Sequence, residues 1–199
     1  MIHPDTELRF ISKEVGYGVV ATKFIQKGTI TWAMDKLDRL FDESEILQFD
    51  ALYRQILDTY CYRDSRGKHV LCWDIARFVN HSFDSNCITT AYEFEIAVRD
   101  IQPGEQLTDD YGYLNISEPF DCEKEMGSKR SRVMPDDLLH FHQEWDEKLI
   151  SAFAFFEKVD QPLFAVLDEE KRTKAISIAN GKSKMDSILN CYFDPKKSQ

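Results

Sequence analysis

Arg77-Phe78-Val79-Asn80-His81-Ser82-Phe83-Asp84-Ser85-Asn86-Cys87 is the stretch whose reading decides the fold. Phe78 and Val79 are apolar anchors. Behind them come Asn80, His81, Ser82, Asp84, Ser85 and Asn86, short polar residues that bond nearby backbone groups and favour turns over regular ladders. An apolar anchor feeding a dense polar loop is the pattern of a binding loop, and a plain connection can share it.

Two further stretches belong with it. One is Pro103-Gly104-Glu105-Gln106-Leu107-Thr108-Asp109-Asp110-Tyr111-Gly112-Tyr113; the other is Gly16-Tyr17-Gly18. Taken in order, Gly-x-Gly, then Arg-Phe-x-Asn-His-Ser-x-x-x-Asn, then Gly-Glu-x-Leu-x-x-Asp-Tyr, the chain resembles a SET domain, the fold of most protein-lysine methyltransferases. The resemblance covers about residues 6–118. Gly-x-Gly is common in turns, so the other two motifs carry most of the weight.

The 199 residues suit one domain, or one domain with an appendage. Many short strand candidates with turn punctuation point to a β-rich domain. These are Leu8–Ile11, Val19–Ile25, Thr29–Trp32, Tyr60–Tyr62, His69–Trp73, Cys87–Ala91 and Tyr92–Val98, with His69 expected on a surface turn. In the last of them Tyr92, Phe94, Ile96 and Val98 alternate with Glu93, Glu95 and Ala97, a half-buried pattern. Helical spacing predicts a helix over 43–58, opened by the Asp42-x-x-Glu45 capping pair. Beyond Ser117 the chain changes character: a charged stretch over 121–132, then an amphipathic helix over 135–157, a second helix over 163–179, and a frayed polar tail over 181–199. The expected class is therefore β-rich α+β. The resemblance adds a SET fold of several short sheets with knot-like packing of the C-terminal motifs over 6–118, and a helical C-terminal flanking region with a polar tail over 119–199.

Charge narrows the partners. A formal net charge of −10 opposes direct nucleic-acid binding and suits a basic peptide. No apolar run approaches the length of a membrane span. The opening Met1-Ile2-His3-Pro4-Asp5 has neither a basic start nor an apolar run, so no secretory signal is expected. Five cysteines, at 61, 72, 87, 122 and 191, show no paired spacing, which fits free thiols in a cytoplasmic or other reducing compartment; the sequence leaves export to a host cell open.

The resemblance implies methyl transfer from S-adenosylmethionine to a lysine amine of a basic segment, a histone-like tail being one example. It implies Tyr111 as the catalytic residue, with its hydroxyl beside the transferring methyl. Tyr60, Tyr62, Tyr113 and Asp109 are the candidates for the substrate channel, Tyr60 and Tyr62 because alternate strand residues share a face. Gly16, Tyr17, Gly18, Asn80, His81 and Tyr111 are the candidates for cofactor binding, with Phe120 over the adenine in preference to Trp145. Asp110 is expected to be structural, and Arg77 either a partner within the fold or a cofactor neighbour. Many relatives carry a zinc site of four cysteines. This chain has Phe83 at the first position and retains only Cys122 later, with Lys124 two residues on, so no zinc is expected. His140 and His142 diverge on their helix and make a poor metal pair. Asp109 stands where many relatives carry an aromatic residue that limits the number of methyl groups added. The alternative reading is a SET-like module that holds a peptide or cofactor with little or no turnover; a third is an interaction protein dominated by its C-terminal helices.

Overall fold

Strand Phe94-Glu95-Ile96-Ala97 is buried along its whole length, and the reason is that both faces of its sheet are covered. In the computed structural model, which describes residues 1–122, 125 and 127–194, the strands in chain order are β1 (Thr6–Ser12), β2 (Gly16–Ala21), β3 (Ile30–Ala33), β4 (Arg39–Phe41), β5 (Cys61–Arg63), β6 (His69–Leu71), β7 (Asn80–His81), β8 (Cys87–Thr89), β9 (Phe94–Ala97), β10 (Thr108–Asp109), β11 (Phe120–Asp121) and β12 (Arg132–Val133). The helices are α1 (Glu43–Ile46), α2 (Ala51–Tyr60), α3 (Asp137–Phe153) and α4 (Glu169–Ala179). They form five small sheets: β1-β2, β3-β9-β8 and β4-β6-β5, all antiparallel, the parallel pair β7-β10, and the antiparallel pair β11-β12. The architecture is the expected β-rich α+β.

Two apolar cores flank the central sheet. On one side α3 lays Leu138, Trp145, Leu149 and Phe153 against Ile30, Ile88, Phe94 and Ile96. On the other, Val19, Ile25, Trp32, Ile101 and Leu107 pack together. Because β9 sits between the two, its alternation does not place Glu95 in solvent as the pattern predicted; Glu95 is buried.

Local chemistry corrects several expected boundaries. The helix expected over 43–58 is two helices, because Asp50 is extended at φ −60° and ψ 157° and restarts the turn count at Ala51. Glu45 accepts from the Asp42 amide at 2.8 Å, as the capping pair requires. The helix expected over 163–179 begins only at Glu169, where the Asp168 side chain accepts from the Lys171 amide at 2.8 Å after an extended Leu167. His69 is not on a surface turn: it lies in β6, with its ring nitrogen 2.9 Å from a Glu43 carboxylate.

The tail expected to fray from 181 is anchored as far as residue 194. Ser187 caps a 3-10 turn over Ile188–Cys191, and Ile188 is fully buried in the α3 core beside Met185. Residues 195–199 lie outside the described residues. No helix among the described residues is long and apolar enough to cross a membrane. Ile188→Ala should therefore lower stability by about 2–5 kcal/mol, the range for emptying a fully buried aliphatic site. Urea unfolding checks this; a change below about 0.5 kcal/mol, typical of surface positions, would place the tail outside the core.

Candidate active site

Two pairings bring the three polar stretches together. The first is the parallel contact of β7 with β10, which sets Thr108 opposite Asn80 and Asp109 opposite His81. The second runs along β2, where the Leu107 amide donates to the Val19 carbonyl at 2.8 Å and Val20 bridges Gln106. Asn86 ties the loop together from inside. Its amide nitrogen donates to the Gln106 carbonyl at 2.7 Å, and its side-chain oxygen accepts from the Thr108 amide at 2.9 Å.

Gly18 is glycine for a spatial reason. A Cβ there would stand 2.4 Å from the Gln106 side-chain oxygen and 2.6 Å from the Asn80 side-chain nitrogen. That nitrogen donates to the Tyr17 carbonyl at 3.1 Å and to Gln106 Oε1 at 2.9 Å. Gly16 has φ +80°, a conformation that favours glycine. The Tyr17 ring is exposed and packs edge-on against Phe10 and Phe78.

His81 stands at the join. Its Nδ1 accepts from the Tyr111 amide at 3.2 Å. Its Nε2 is buried with no hydrogen-bond partner among the described residues. Burial, aided by the Arg130 charge, pulls the imidazole pKa down to about 4 against the opposing pull of Glu125, so the ring is neutral at pH 7. Rings of Phe83, Tyr111 and Phe120 surround it at centroid distances of 4.4, 5.4 and 6.0 Å.

Beside this patch lies a cavity of about 560 Å³ whose walls include Tyr60, Tyr62, Asp109, Tyr111 and Phe120. Tyr111 heads a 3-10 turn capped by Asp110, whose carboxylate accepts from the Gly112 amide at 3.0 Å. Its hydroxyl donates to the Val79 carbonyl at 2.7 Å. Burial, and then the nearby Asp109, pushes the phenol pKa upward.

Tyr113, expected on a channel wall, is not there. It is buried in the α3 core, 5.3 Å from the Trp145 ring, and its hydroxyl donates to the Cys87 carbonyl and to Asp109, both at 3.0 Å. Asp109, a candidate for the substrate channel, lines the cavity and is buried, in side-chain hydrogen-bonding contact with Glu95, which lines it too. Phe120 is at the cavity, 6.2 Å from the Tyr111 ring, whereas Trp145 is core. Arg77 donates to the carbonyls of Cys72 and Trp73.

Arg130 is a residue that the sequence reading missed. It pairs with Asp110 and with Asp137 at the start of α3, and its guanidinium lies 4.5 Å from the Phe83 ring and 4.4 Å from that of Phe141. The clip fastens the helical flank to the turn that carries Tyr111. Its sequence signal was only a charge within a polar stretch. Cys122 is half-buried beside this region, Lys124 lies outside the described residues, and among the described residues no group of three His, Cys, Asp or Glu side chains is arranged to hold a metal ion. Arg130→Met should cost about 3–5 kcal/mol, since it leaves two buried carboxylates without their cation. Urea unfolding at neutral pH measures it, and the loss should shrink at acid pH as Asp110, whose carboxyl pKa burial raises, takes a proton; a loss below 1 kcal/mol at neutral pH would refute the clip.

The SET domain family profile matches residues 16–112. N-lysine methyltransferase KMT5A-A of Danio rerio is 33% identical, aligned over 53% of this chain and 34% of its own length. Histone-lysine N-methyltransferase Set2 of Drosophila melanogaster is 31% identical over 53% of this chain and 5% of its own length. The chain thus spans about a third or less of these curated relatives. A solved structure from Plasmodium falciparum, described as a candidate histone methyltransferase, is 18% identical with a TM-score of 0.41, covering 55% of this chain and 95% of its own. The match in sequence to the family profile and the β-rich arrangement of small sheets agree: residues 16–112 of this chain are a SET domain.

Proposed function

We propose that the protein transfers a methyl group from S-adenosylmethionine to the amine of a lysine in a basic protein segment, with residues 6–118 as the catalytic unit and 119–199 as its flank. The observation that carries this reading is the double position of Tyr111. Its phenol lines the cavity while its backbone amide is bonded to His81, so one residue spans the cavity and the polar patch formed by Gly16–Gly18, Asn80 and His81.

The patch fits the cofactor. The unpartnered His81 Nε2 is a buried polar atom that a ligand can satisfy. Gly18 leaves room for the Asn80 and Gln106 side chains to pack against β2, and Phe120 offers an aromatic face next to His81. Gly16, Tyr17, Gly18, Asn80, His81 and Phe120 would hold the molecule, which supplies an electrophilic sulfonium methyl when bound.

The protein's own part is positioning. The phenol of Tyr111 is fixed by its bond to Val79 and keeps its proton at neutral pH, so it acts as an oriented dipole toward the amine and not as a base. Tyr60 and Tyr62 give the amine aromatic walls that favour its neutral form by excluding water. The net charge of −10 draws basic segments toward the surface.

Radiolabelled S-adenosylmethionine, a basic protein mixture and a Tyr111→Phe variant test this. The wild type should label a lysine-bearing protein, and the variant should lose about 100-fold or more in rate, the scale seen when one preorganised polar group at the reacting centre is removed. Its cofactor affinity by calorimetry should stay within a few-fold. Full labelling by the variant, or no labelling by the wild type, would sink the proposal.

A further inference from the structure

This inference rests on the lysine-methyltransfer reading and deepens it. A lysine amine must lose a proton before it can attack, and free lysine holds that proton to about pH 10.4. Tyr111 is unsuited to taking it, because burial makes its own proton harder to remove. The cavity contains another acceptor.

Glu95 in β9 and Asp109 at the end of β10 line the cavity in side-chain hydrogen-bonding contact, and they are only 8% and 5% exposed. Two touching carboxylates in a low-dielectric site do not both ionise readily, so the pair keeps one proton. Asp109 already accepts from the Tyr113 hydroxyl at 3.0 Å, which favours the anion on Asp109 and the proton on Glu95. The cavity also holds a donor suited to an ordered water, since an ammonium has no lone pair to offer it. Trp32 lines the same cavity at 4% exposure, and its indole N–H is buried without a partner among the described residues. Such a donor costs about 1–3 kcal/mol until something accepts from it.

Asp58, Cys61, Arg63, His69, Arg77 and Glu118 line the same cavity, and a smaller set acts on the pair itself. Tyr111, Tyr113, Tyr62, Cys72 and Cys87 are phenols and thiols whose pKa values burial pushes up, so they stay neutral. Asp110 has Arg130 as its partner, Asp38 lies behind Tyr62 and Cys72, and the Met1 amino group is a nearby cation.

We propose that Asp109, steadied by a hydrogen bond from protonated Glu95, takes the proton of the substrate lysine and presents the free amine to Tyr111. In that step an ammonium N–H bond breaks and its electron pair stays on nitrogen. The proton bonds to the Asp109 carboxylate, and the pair passes from one proton to two. The extra proton returns to solvent when the product leaves. Burial first, and then the Asp110 charge, raises the Asp109 pKa to about 7. That places it near neutrality, where a general base works best.

The test compares the wild type with Asp109→Asn and Glu95→Gln, using a lysine peptide taken from whichever protein the wild type labels. The wild-type single-turnover rate should rise with pH to a plateau just above neutrality. Asp109→Asn should be about 100-fold slower at pH 7, within the usual range for a lost general base, and should keep climbing to pH 9 without a plateau, following free lysine. Glu95→Gln retains a donor to Asp109 and should keep the plateau. A readout apart from turnover is carboxyl carbon-13 NMR of the substrate-free protein, in which one carboxyl should titrate near neutrality. An active wild type whose profile Asp109→Asn leaves unchanged, or a spectrum with every carboxyl titrating below pH 5, overturns this inference and leaves the proposed function standing. A wild type that methylates no lysine overturns both. If Asp109→Asn does not fold, the carboxyl titration alone decides.

Discussion

A parallel contact only two residues long, Asn80-His81 against Thr108-Asp109, holds the site together. Alone it would be too short to persist, since isolated strand pairs are marginal in water. Its neighbours make it stable. The Ser82 amide donates to the Asp109 carbonyl at 2.9 Å, Asn86 bonds the backbone of Gln106 and Thr108, and the Tyr113 hydroxyl reaches Cys87. The polar residues of the 80–87 loop therefore spend much of their bonding capacity on the 106–113 segment, which places Tyr111 beside His81.

The helical flank acts on the same contact from behind. Arg130 connects Asp110, the residue before Tyr111, with Asp137 at the head of α3, and α3 buries Trp145 and Leu149 against the central sheet. Beside Phe83 stand the Arg130 guanidinium and, paired with it, the carboxylates of Asp110 and Asp137. The ion pairs supply orientation and the apolar face of α3 supplies most of the burial, in keeping with the modest net worth of buried ion pairs.

Much of this was legible in the sequence because it lay in local spacing. Asp42-x-x-Glu45 opens α1, the recurrence of Leu138, Trp145 and Leu149 marks α3, and the motifs identify the stretches that meet. What was not legible depended on tertiary placement. Alternation along β9 read Glu95 as solvent-facing, but a strand covered on both faces buries every residue, whatever its polarity. Tyr113 sits two residues beyond Tyr111, yet the tight turn carries it into the core. Arg130 had no pattern of its own, and Ile188 sat in a tail too polar to suggest an anchor.

The central claim is that a methyl-donor site and an amine cavity meet at Tyr111 because β7 and β10 pair. A crystal structure of the protein with S-adenosylhomocysteine tests it most directly. The account predicts the ligand against Gly16–Gly18, Asn80 and His81, with its sulfur turned toward the Tyr111 hydroxyl and the cavity left open on the far side. A ligand lying inside the cavity between Tyr60 and Glu95, or bound away from His81, would contradict it.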